Sequence, residues 1–97
     1  MDPNFEVDSD LFINQIHEDI FQDLQQPWLS DNERYEMQKL LQIAKRIQFD
    51  RHQLKTLSQS RNYSSYTIQK RNESLYKRAK QVRDKHINLL ISNTIVI

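Results

Sequence analysis

Few residues in this chain have the type and spacing to do chemistry. His17, His52 and His86 stand 35 and 34 residues apart. None has a second metal donor three or four residues away, the spacing that places two ligands on one helical face, and Glu18 and Asp19 next to His17 project in other directions. A metal site is not expected. Asp19 and Asp23 lie four apart among Asn14, Gln15, Glu18 and Gln22, with no apolar pocket in the pattern to raise a carboxyl pKa, so acid–base catalysis is not expected either. The sequence contains no Cys and no Gly. Without Cys there is no thiol nucleophile, disulfide framework or Cys-ligated metal. Without Gly there is no P-loop, dinucleotide fingerprint or nucleophile elbow. The expectation is a non-enzymatic protein without catalytic, cofactor-binding or metal residues.

What remains is binding chemistry. Between Arg61 and Lys85 the cations Lys70, Arg71, Lys77, Arg78, Arg83 and Lys85 interleave with Tyr63, Tyr66 and Tyr76, a mixture suited to phosphate contacts with base stacking. The plainer reading is a basic helix face, solvated or matched to an acidic protein surface. A short segment here, with Thr67, Lys70, Arg71, Leu75, Lys77, Arg78 and Ala79, is similar to the start of the DNA-binding helix of MADS-box factors. Ser74 replaces that family's Gly, and Ser64 and Ser65 stand where it has basic residues, so no membership is assigned.

The formal net charge of +1 conceals a split. Residues 1–36 hold ten carboxylates against Arg34 alone, a net of −9, whereas residues 37–97 carry +10. Either the basic half faces an acidic partner, or the acidic half folds back or reaches a neighbour and neutralises it.

The elements that must position these groups are helical. Lack of Gly disfavours tight β-hairpins, and all-α is the expected fold class. Leu11, Phe12, Ile13, Ile16, Ile20, Phe21 and Leu24 mark one face of an acidic amphipathic helix from about Ser9 to Gln25, with Asp8, Ser9 and Asp10 offering an N-cap. Pro27 ends it, and Trp28 and Leu29 then sit in a Pro corner where large apolar groups are usually buried. Ser30 and Glu33 form a capping box that starts a second helix. Leu40, Leu41 and Ile43 together are wider than a single seam, which implies two packing neighbours.

From Met37 a heptad places Leu40, Ile47, Leu54, Arg61, Ile68, Leu75, Val82, Leu89 and Val96 at d. The a positions are poorer: Met37, Ala44, Arg51, Ser58, Ser65, Asn72, Ala79, His86 and Asn93, which excludes a strict parallel zipper. The run from Ser58 to Ser65 is weak in helix formers and favours a turn over one unbroken helix, with a third helix from about Thr67. The apolar end, Leu89 to Ile97, needs cover from a partner or from helix one.

The organisation read here is an acidic segment 1–29, then a long helix or helical hairpin 30–97, forming a coiled-coil-like bundle subunit. At 37 % apolar residues the chain sits on the polar side of globular, so it is expected to fold only marginally alone. The expected function is an interaction or scaffold subunit of an intracellular multiprotein complex, in nucleus or cytoplasm. Its partners would be other helical subunits, in a hetero- or homo-oligomer, meeting Ile16, Ile20, Leu24, Trp28, Leu40, Ile47, Leu54, Leu75, Val82 and Leu89. The alternative is a nucleic-acid-binding module built on the basic half; a third reading is a regulator whose acidic helix occupies a partner's groove. The acidic start resembles no targeting peptide, and no apolar run is long enough for a membrane span.

Overall fold

The computed structural model describes residues 3–58 and 64–94, and the side chains of residues 10–57 and 64–91. Among the described residues the chain is all-helical: α1 spans Pro3–Leu24, α2 Asp31–Ser58 and α3 Ser65–Thr94. Each helix packs on the other two, and the molecule measures 55 × 19 × 16 Å.

Local chemistry sets the helix ends. α1 begins at Pro3, well before the expected cap. Proline suits a first helical position, where its missing N–H has no partner to lose. The group read as the N-cap therefore lies inside the helix, and Asp10 makes ion pairs instead. At the other end Gln25 N–H donates to Gln22 O and Gln26 N–H to Asp23 O, both at 3.1 Å, tightening the last turn two residues before Pro27. The Arg34 guanidinium then donates to the carbonyls of Leu24, at 2.7 Å, and Gln26, at 3.2 Å. Arg34, the one cation among the first 36 residues, thus caps a helix end and satisfies carbonyls that would otherwise lack donors.

Ser30 caps α2: its Oγ accepts from the Glu33 N–H at 3.2 Å and donates to the Glu33 carboxylate at 2.8 Å. Ser64 performs the same task for α3, accepting from the Thr67 N–H at 3.2 Å. α3 therefore starts slightly ahead of the Thr67 read from the sequence.

α2 and α3 run antiparallel, since Asp50, Leu54 and Leu57 line a groove with Arg71, Leu75 and Arg78 while Leu40 lines another with Leu89. The chain reverses between Ser58 and Ser65, as the weak helix formers there suggest; residues 59–63, Arg61 and Tyr63 among them, lie outside the described residues, as does the tail 95–97. α1 returns along both, antiparallel to α2 and parallel to α3: Asp10 meets Arg51, and Asp23 meets His86.

The core draws on all three helices. Ile13, Ile16 and Ile20 of α1 pack with Leu40, Ala44, Ile47 and Leu54 of α2 and with Ile68, Leu75, Ala79 and Val82 of α3. Ile20, Met37 and Ile47 are the largest side chains to be fully enclosed. The stripes expected to await a neighbour cover one another within one chain. Leu29 is buried, whereas Trp28 beside it keeps 57 % of its surface exposed, contrary to the expectation for that corner.

Candidate functional site

Three polar residues at the heptad's a positions, Arg51, Asn72 and His86, are buried in the core. Two of them are met by carboxylates of α1. Arg51 Nε lies 2.9 Å from Asp10 Oδ1, an ion pair without the alignment of a hydrogen bond. Lys55 Nζ reaches Asp10 Oδ2 from the next turn of α2. His86 Nε2 lies 2.6 Å from Asp23 Oδ2, with the imidazole side chain only 7 % exposed. Gln48 adds a side-chain hydrogen bond to Asn14 at 2.9 Å. Asn72 Oδ1 has no hydrogen-bond partner among the described residues.

These contacts do structural work. A buried charge or polar group left unmatched is costly, so Asp10 and Asp23 favour the register of α1 in which Arg51 and His86 are met. The acidic half folds back onto the basic half, one of the two uses open to such a charge split.

Nine of the ten side chains expected to meet a partner line the chain's own interior. Ile16, Ile20, Leu40, Ile47, Leu54, Leu75 and Val82 are buried; Leu24 and Leu89 are half-buried and packed against them. Only Trp28 of that set faces solvent. Helical periodicity marks which side chains leave water and is silent on whether their cover belongs to the same chain.

The six expected nucleic-acid contacts divide among three directions. Arg71, Arg78 and Lys85 recur every seventh residue along the edge of α3 beside α2. Lys70 and Lys77 are exposed on the outer face. Arg83 sits on the edge beside α1, its guanidinium 5.0 Å from the centre of the Phe12 ring. Of the interleaved tyrosines, Tyr66 is 68 % exposed with the Lys70 ammonium 5.6 Å from its ring centre. Tyr76 packs on Phe12, with ring centroids 5.0 Å apart.

Apolar surface remains outside the core. Leu11, Phe21, Trp28, Tyr35, Ile43, Phe49, Tyr66, Ile87 and Ile91 are all exposed. Sequence reading missed Ile43, Phe49, Ile87 and Ile91 as surface groups because a helix rich in apolar residues gives no sign of which edge lacks a neighbour. Between the helices lie open grooves, one of them formed by Asp19, Gln22, Asp23, Arg83, His86, Ile87 and Leu90. No group of three His, Asp or Glu side chains among the described residues is placed to hold a metal ion. No described helix is long and apolar enough to cross a membrane.

Comparison with protein-family models, curated proteins and solved structures finds no match for this chain.

Proposed function

We propose that the chain is a non-enzymatic helical interaction subunit, a scaffold piece of an intracellular multiprotein complex that completes a helical bundle with other chains. The observation that carries this reading is apolar exposure beside a filled core: Trp28 at 57 %, Phe49 at 52 %, Ile91 at 47 % and Ile43 at 40 % stay in water although the interior holds fully enclosed side chains. Large apolar groups outside a satisfied core fit contact with another protein. Trp28 is the strongest single anchor, since tryptophan dominates binding energy wherever an interface encloses it.

The test uses the full chain purified with its partners from its own cells. Trp28→Ala is expected to leave the melting temperature of the isolated chain within a few degrees of wild type, because the ring is mostly exposed. It is expected to weaken retention of at least one protein subunit by about 2 kcal/mol or more. Unchanged retention of every subunit would remove Trp28 from the interface.

Nucleic-acid binding by the basic half stays the second reading, favoured by exposed Lys70 and Lys77 beside Tyr66 on the outer face of α3. The division of the six cations among three directions weighs against it. Salt separates the two readings: phosphate contacts make affinity for a duplex or single strand fall steeply as salt rises, whereas an apolar protein interface changes little.

A further inference from the structure

α1 covers one side of the α2–α3 pair and leaves the other side open. Along that side Ile43, Asp50 and Leu57 recur at seven-residue spacing on α2, and Arg71, Arg78 and Lys85 recur at the same spacing on α3. Seven residues are nearly two full helical turns, so each set forms a line along its helix. The two lines face each other: one open groove brings Asp50 and Leu57 to Arg71 and Arg78, and a second brings Glu36 and Leu40 to Lys85 and Leu89. The floor of this seam is apolar, with Ile43 40 % exposed and Leu57 and Leu89 half-buried. Its rim carries more cations than carboxylates: Arg71, Arg78 and Lys85 of α3, with Arg46 at 3.4 Å from Asp50, outnumber Asp50 and Glu36 of α2.

We infer that this seam docks an acidic amphipathic helix contributed by a different protein subunit, lying against α2 and α3 as a fourth helix. The inference rests on the scaffold reading above and adds the surface and the chemistry of the partner. Charge complementarity selects the occupant, because apolar residues on one face suit the floor and carboxylates on the flanks suit the arginine-rich rim. The chain itself supplies the precedent. α1, with six carboxylates and no Lys or Arg, packs on the opposite side of the same two helices through an apolar stripe and two aspartates.

A second copy does not meet this description, since among the described helices the acidic amphipathic one, α1, has its apolar stripe enclosed and turns Gln15, Glu18, Asp19 and Gln22 outward. Nucleic acid would match the rim and leave the apolar floor without a partner.

A synthetic peptide of residues 3–24 is the probe, being an acidic amphipathic helix that fits these two helices on their other side. Added to the isotopically labelled full chain, it is expected to shift the amide resonances of Ile43, Leu57, Ser74 and Arg78. Ile43→Asp and Arg78→Glu, both at exposed positions, are each expected to weaken it about tenfold or more, with the melting curve of each variant checking that the fold persists. Shifts confined to Gln48, Arg51 and His86 would mean that the peptide merely exchanges with α1 and would overturn the inference. So would an absence of shifts at millimolar peptide, or tighter occupation of the same seam by duplex DNA. In the native assembly each variant is expected to release a subunit. If both variants keep every subunit, the seam is not the interface although the scaffold reading stands; if no protein subunit accompanies even the wild-type chain, that reading falls, and the peptide still decides the seam.

Discussion

Ile20→Asp is expected to unfold the chain at room temperature, abolishing its helical circular dichroism together with any partner binding. Ile20 is 0 % exposed, at the contact of α1 with the other two helices. Aspartate there loses apolar contacts and places an unpaired carboxylate in the core, a combination costing several kcal/mol against a total stability of about 5–15 kcal/mol. The conservative change Ile20→Val removes one methylene and is expected to cost only about 0.5–1.5 kcal/mol while keeping the fold and its partners. The alternative, in which Ile20 faces a partner's groove, predicts the reverse for Ile20→Asp: an unchanged melting curve with binding lost.

The second large effect concerns Asp10. Asp10→Ala is expected to destabilise the isolated chain by about 3–5 kcal/mol, because it strips the carboxylate from Arg51, whose side chain is 5 % exposed. Arg51→Met in the same background is expected to restore much of the loss, since an apolar side chain of similar length suits the core better than a buried guanidinium that has lost the Asp10 carboxylate. Denaturant melts of the wild type, the two single variants and the double variant give the coupling directly. A loss below about 1 kcal/mol for Asp10→Ala would show that the pair behaves as an exposed surface bridge. Retained helicity in the Ile20→Asp chain, or additivity at Asp10 and Arg51, would mean that α1 is not held where the structure puts it.

Helix content was legible because it rests on local signals. Ser30 and Glu33 announce the start of α2, Pro27 the end of α1, and the run from Ser58 to Ser65 the reversal. The start of α1 was read too late because Asp8, Ser9 and Asp10 imitate a cap, whereas Pro3 supplies an earlier start and Asp10 is used in long-range pairing. Among the described d positions Leu40, Ile47, Leu54, Ile68, Leu75 and Val82 are buried and Leu89 is half-buried, whereas the a positions were undervalued. Arg51, Asn72 and His86 look like defects in a zipper, yet they are buried, and two of them meet aspartates of α1. Propensity and periodicity act over a few residues, and no local rule says that Asp23 will meet a histidine 63 residues away. For the same reason the pairing across the open seam gave no sequence signal: Asp50 and Arg78 become neighbours only after α3 turns back along α2.

The account turns on α1 lying inside the fold, which leaves Trp28 and the open side of α2 and α3 as the surfaces proposed for a partner. Hydrogen–deuterium exchange on the isolated chain tests this most directly. The amides of Ile13, Ile16 and Ile20 are predicted to be protected to the same degree as those of Ile47 and Val82, as parts of one cooperative unit. Exchange of the α1 amides at free-peptide rates, with α2 and α3 still protected, would contradict it and return the acidic helix to the role of a segment that waits for a partner's groove.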